Sequence, residues 1–157
     1  MNPFSRKSDP AAAADSTDGM NGAASNGAMD GVPEGLGATV LIVDDSPTET
    51  RIFINTLSQA GYRVETATDG EQGVEMARRI QPDAILMDVI MPTLNGFQAT
   101  RMLHRDAATA NIPIIMVTTK DQPTDRTWGL RQGAVDYLVK PVSPAALLEC
   151  LRAALQR

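Results

Sequence analysis

The 157-residue sequence contains one cysteine, Cys150, and one histidine, His104. A lone thiol cannot close an internal disulfide, which points to a reducing, cytoplasmic compartment. One Cys and one His also cannot make a structural zinc site, whose four ligands come from those residue types. No stretch approaches the roughly 18–20 apolar residues of a membrane span, so no membrane insertion is expected. Arg6 and Lys7 precede a run of alanines, but Asp15 interrupts it before any leucine-rich segment, unlike a secretory signal. A basic excess is also missing: the net charge is −5. A protein that binds nucleic acid electrostatically normally carries a basic face, so no nucleic-acid partner is expected. The absence of a G-x-x-x-x-G-K-S/T loop removes the P-loop NTPases.

What is present divides into two parts. Residues 1–37 hold six glycines, seven alanines, no isoleucine and only Phe4 as an aromatic, with a net charge of −3. Such a composition cannot bury enough apolar surface to offset its ordering entropy, and it predicts a disordered tail. From 38 to 157 the chain reads as one domain. VLIV (40–43), AILM (84–87), IPIIMV (112–117) and YLV (137–139) are short and continuously apolar, while YRVETA (62–67) is weaker and partly alternating, as an edge strand would be. Helix-length segments lie between them. This order predicts βαβ units and a parallel sheet covered on both faces. Ser46-Pro47-Thr48-Glu49 has the pattern of a capping box with proline at the first helical position. Its helix is predicted to bury Ile52, Phe53 and Leu57 and to stop at Gly61. Pro123 and Ser143-Pro144 mark two later helix starts. The fold class is α/β, a doubly wound (βα)5 parallel sheet with strand order 2-1-3-4-5.

In this arrangement the polar residues fall together. Asp44 and Asp45 end the first predicted strand, Asp88 the third, Thr118 the fourth and Lys140 the fifth. These are carboxyl ends of strands, the edge at which open α/β sheets bind ligands. Three crowded carboxylates need a cation or a proton. Mg²⁺ suits them, because it takes oxygen ligands and keeps several waters. Asp88, the central one, could act as a phosphoryl-accepting nucleophile, with Thr118 and Lys140 contacting the phosphoryl oxygens. Two other chemistries fit less well. DDSPTE places two negative charges where a flavin-binding protein needs a phosphate loop. An aspartyl phosphatase of the haloacid dehalogenase type usually has a second acid two residues after its nucleophile, where this chain has Ile90.

LIVDDSP, LMDVIMPTLNGFQAT, PIIMVTTK and DYLVKP resemble the CheY-like receiver domain of two-component response regulators, over residues 38–157. The resemblance implies a flavodoxin-like fold and phosphorylation of Asp88 by a histidine kinase. It implies Mg²⁺ held by Asp45, Asp88 and the backbone carbonyl of Ile90, with Asp44 acting through a metal-bound water. Thr118 and Lys140 would contact the phosphoryl group, Tyr137 would be the aromatic switch, and Lys140-Pro141 would be cis. No enzymatic activity is implied beyond the protein's own phosphorylation and dephosphorylation. TTKDQPTDRTWGLRQGAVDYLVKPV and LNGFQATR further resemble regulators of type IV pilus twitching motility, in a chemotaxis-like pathway with a CheA-like histidine kinase. The output partner would be a pilus-motor or other effector protein.

Only 17 residues follow Lys140, enough for one helix, so output is expected through partner binding. Phosphorylation would draw Thr118 toward the phosphoryl group and let Tyr137 turn inward, reshaping the face of the fourth helix, fifth strand and fifth helix. The alternative is a receiver fold used as a phosphorylation-independent interaction module or as a phosphate sink. Thr119, Ile90 and Lys120 depart from the commonest receiver pattern and bear on phosphoryl lifetime. Trp128 is either packed against its own domain or an exposed anchor for a partner. His104 reads as a solvated helical residue and Cys150 as core.

Overall fold

The computed structural model describes residues 37–156; the predicted tail at 1–37 lies outside them except for Gly37. Five strands alternate with five helices: β1 (Thr39–Val43), α1 (Pro47–Gln59), β2 (Arg63–Ala67), α2 (Gly70–Ile80), β3 (Ala84–Met87), α3 (Gly96–Arg105), β4 (Ile114–Thr118), α4 (Pro123–Gln132), β5 (Asp136–Val139) and α5 (Pro144–Leu155). All strand pairs are parallel, in the order β2-β1-β3-β4-β5. The fold class and strand order are those expected from the sequence, and β2 is an edge strand.

The continuous apolar runs are explained by two cores, one on each face. Successive strand side chains point to opposite faces, and the chain uses both. Leu41, Val43, Ile85, Met87 and Met116 pack with α2 and α3 residues such as Val74, Ala77, Ala99 and Leu103. Val40, Ile42, Leu86, Ile115 and Val117 pack with Phe53 and Leu57 of α1 and with Leu147 and Leu151 of α5. Each fully buried large side chain contributes about 1.5–3 kcal/mol of transfer free energy.

Helix starts follow their capping residues. Asp69 accepts the Gln72 N–H at 2.8 Å. Asn95 and Gln98 form a reciprocal capping box, each bond 2.9 Å. Ser143 accepts the Ala146 N–H at 3.1 Å ahead of Pro144. Helix α1 departs from expectation in one respect. Phe53 and Leu57, four residues apart, share the buried face, but Ile52 is 56% exposed. It lies about 100° around the helix from Phe53, on the rim and not in the core.

Candidate functional site

The hydrogen-bond ladder of the sheet runs into the polar residues at its carboxyl edge. Asp44 donates its N–H to the Ala67 carbonyl at 3.1 Å, and Asp88 donates its N–H to the Val43 carbonyl at 3.0 Å. Lys140 donates its N–H to the Thr118 carbonyl at 2.8 Å. Backbone pairing therefore fixes four of the five predicted positions directly, those of Asp44, Asp88, Thr118 and Lys140. Asp44, Asp45 and Asp88 bring carboxylate oxygens within 4.8 Å of one another. Asp44 and Asp88 are buried (4% and 8% exposed), as is Thr118, while Asp45 faces solvent.

The Lys140 ammonium lies among these acids, 2.9 Å from Asp44 Oδ2 and 3.6 Å from Asp88 Oδ2. It is also hydrogen-bonded to Glu49. The sequence pattern assigns Glu49 to a capping box, and only half of that box forms. Ser46 Oγ accepts the Glu49 N–H at 3.4 Å, but the Ser46 N–H goes to Asp44 Oδ1 at 2.8 Å. The Glu49 carboxylate turns to Lys140 instead. A partner 91 residues away leaves no local signal in the sequence. Three carboxylates, Asp44, Asp88 and Glu49, thus gather around one ammonium, with Asp45 beside the first two.

This imbalance shapes the ionisation of the site. Burial pushes the Asp88 carboxyl above the usual range, Lys140 opposes the shift and the Asp44 charge adds to it. Hydrogen bonds from Thr118 and from the Val89 N–H, the latter 2.8 Å to Asp88 Oδ1, favour the ionised form but do not reverse the rise. For Lys140, burial favours loss of the proton, but hydrogen bonds to Glu49 and Asp44 and the Asp88 charge outweigh it and hold the pKa above the ordinary lysine value. The donor set is all oxygen, crowded, and short of positive charge, which fits a hard divalent cation.

Around this centre, Ile90 is 54% exposed beside Asp88. Thr119 is exposed and Lys120 half-buried. Thr118 Oγ1 accepts the Lys120 N–H at 3.3 Å, and the Lys120 carbonyl accepts the Tyr137 hydroxyl at 2.8 Å. The expected inward turn of Tyr137 is already made: the residue is buried, with its ring against Gly129 of α4, where an added Cβ would lie 3.0 Å from the ring. Burial, with the charges of Asp125, Asp121 and Asp88, pushes its phenol up to about 12. Lys140-Pro141 is cis, as the resemblance implies.

Gly96 is a residue the sequence reading passed over. Its N–H donates to the Val89 carbonyl at 2.9 Å, and a Cβ there would come within 2.0 Å of the Asp88 carbonyl oxygen. Glycine is what lets α3 start against the Asp88 backbone. The available signal was the Asn-Gly pair opening an apolar-periodic segment. Trp128 is 49% exposed, His104 is exposed on α3, and Cys150 is buried in the α1/α5-side core.

The family model of the response regulator receiver domain matches residues 40–152, and the chain belongs to that family: it carries the receiver domain of a two-component response regulator. Among curated proteins it is 55% identical over 118 residues to protein PilH of Pseudomonas aeruginosa, spanning 75% of this chain and 98% of that one. It is 40% identical over 118 residues to the DNA-binding dual master transcriptional regulator RpaA of Synechocystis, but spans only 49% of that protein. Among solved structures, the receiver domain of a Pseudomonas aeruginosa sensor histidine kinase, with a magnesium ion coordinated in its active-site cleft, superposes with a TM-score of 0.72. It is 36% identical, and the match covers 77% of this chain and 99% of that one. The Vibrio cholerae chemotaxis protein CheY4 gives a TM-score of 0.71 at 38% identity, covering 74% and 98%. A receiver of this family implies a phosphodonor histidine kinase and a downstream effector. Among the described residues, no helix is long and apolar enough to cross a membrane.

Proposed function

We propose that this protein accepts a phosphoryl group on Asp88 from a CheA-like histidine kinase and signals by phosphorylation-dependent partner binding in type IV pilus twitching motility. The observation that carries the reading is the placement of Asp88: it follows a central strand, with Asp44 and Asp45 within 4.8 Å and the Lys140 ammonium 3.6 Å away. Asp45, Asp88 and the Ile90 carbonyl would hold Mg²⁺, with Asp44 acting through a water. The cation, when bound, neutralises carboxylates and phosphoryl oxygens. An oxygen of the ionised Asp88 attacks phosphorus in line as the P–N bond to the donor histidine breaks, and the electron pair leaves with the imidazole. Lys140 and the Thr118 hydroxyl then face the phosphoryl oxygens.

Transmission follows from the hydrogen bonds around Thr118. When its Oγ1 turns to the phosphoryl group it leaves the Lys120 N–H, and the Lys120 carbonyl is what anchors the Tyr137 hydroxyl. Phosphorylation then selects among arrangements of Tyr137 and the α4–β5–α5 face, with the inward ring accessible beforehand. The similarity to PilH supports the motility assignment. In the test, the protein is incubated with Mg²⁺ and either a small phosphodonor or the CheA-like kinase, and covalent labelling is followed. Wild type is expected to label and Asp88→Ala to lose essentially all of it. Undiminished labelling of the variant, or no labelling of wild type by either donor, overturns the proposal.

A further inference from the structure

Glu49 stands apart from the residues a receiver is expected to use. It sits in the first turn of α1, and its carboxylate ignores the capping-box partner its sequence position offers, because Asp44 has taken the Ser46 N–H. It bonds the Lys140 ammonium instead, from the wetter side: the Glu49 side chain is 39% exposed and that of Lys140 10%. An ammonium has three donors. Two are committed, to Glu49 and to Asp44 at 2.9 Å, and Asp88 stands farther off at 3.6 Å. Glu49 also lines the mouth of a groove of about 380 Å³ with Ile52, Phe53, Thr119, Pro141 and Val142, immediately beside Lys140.

We infer that Glu49 is a positioning residue that holds Lys140 in reserve, so that a phosphoryl group arriving at Asp88 must draw the ammonium away from it. This rests on the proposed role of Asp88 and Lys140. Two consequences have opposite signs. A phosphoryl group carries close to two negative charges, so Glu49 both competes for Lys140 and repels an anionic donor, and its removal accelerates phosphorylation. In the resting protein the same carboxylate keeps Lys140 from pairing more closely with Asp88 and adds negative charge near the cation site, so its removal weakens Mg²⁺ binding. A residue needed only for folding would lower both.

The experiment uses the full chain as wild type, Glu49→Gln and Glu49→Asp. Initial labelling rates by phosphoramidate are measured at saturating Mg²⁺, and Mg²⁺ affinity by calorimetry without donor. Glu49→Gln is expected to label about fivefold faster and bind Mg²⁺ severalfold more weakly, the size of effect one nearby charge exerts near a protein surface. Both differences should shrink in high salt. Glu49→Asp keeps the charge but shortens the reach, so it should keep near-wild-type Mg²⁺ affinity while labelling at an intermediate rate. Unlabelled wild type overturns the reading of Asp88 and this inference with it. Labelled wild type with variants at the same rate, or variants losing labelling and Mg²⁺ affinity together, overturns the role of Glu49 alone.

Discussion

Two aspartates near the carboxyl and amino ends of the sheet, Asp88 and Asp136, show how differently one fold can treat the same side chain. Asp136 opens the edge strand β5, and both its oxygens have partners. Oδ1 accepts the Tyr137 N–H at 2.8 Å and lies 3.6 Å from Arg126, and Oδ2 accepts the Cys150 thiol at 3.1 Å. Arg126 adds a 2.8 Å hydrogen bond to the Tyr137 carbonyl, so one half-exposed acid ties α4, β5 and α5 together. Asp88 follows a central strand, shares one ammonium with two other carboxylates, Asp44 and Glu49, and is pushed toward protonation by burial. The first acid is held by its surroundings and is structural. The second is left short of positive charge, an arrangement that suits a cation.

This contrast can be tested at several strengths. The largest effect should follow Lys140→Met. Removing the ammonium leaves buried Asp44 and Asp88 uncompensated, and stability at neutral pH in chelator should fall by about 3 kcal/mol. Saturating Mg²⁺ should recover much of it; chemical denaturation with and without Mg²⁺ measures both. Arg126→Ala should cost less, about 1 kcal/mol, because Arg126 and Asp136 are half exposed and the ion pair contributes little beyond the carbonyl hydrogen bond. The same denaturation assay checks it, with no Mg²⁺ dependence expected. The smallest signal is spectroscopic. Tyr137 has its pKa raised to about 12, so its contribution to stability is complete below the unfolded value of 10.0 and is lost as pH rises through the folded one. In a Tyr62→Phe background, phenolate absorbance should lag that of free tyrosine by the same interval. Ionisation near 10 would show that the ring is not held inside.

Much of this architecture was legible beforehand because it rests on local or periodic signals. Four continuous apolar runs are parallel strands covered on both faces, and Pro47, Pro123 and Pro144 open the helices they mark. Asp44, Asp45, Asp88, Thr118 and Lys140 come to one edge because parallel strands all present their carboxyl ends there. The failures come from contacts that sequence distance hides. Ile52 fits a helical apolar pattern, but the face that packs is centred on Phe53 and Leu57. The capping box at Ser46 is locally plausible and loses to Asp44 and Lys140, one of them 91 residues from Glu49. Gly96 matters through the backbone that approaches it, which no periodicity reports. Trp128 proved half exposed, a question composition alone leaves open.

The backbone bonds that carry Asp44 and Asp88 have a further consequence. Both acids are the next rungs of a parallel ladder, paired through the Ala67 and Val43 carbonyls, so the pitch of the sheet, about 4.8 Å from strand to strand, is the ruler that spaces them. The spacing of these two acids is therefore set by the pairing of β1 with β2 and β3. A chemical site graduated in this way can be moved between chains of different surface, provided the ladder beneath it is kept.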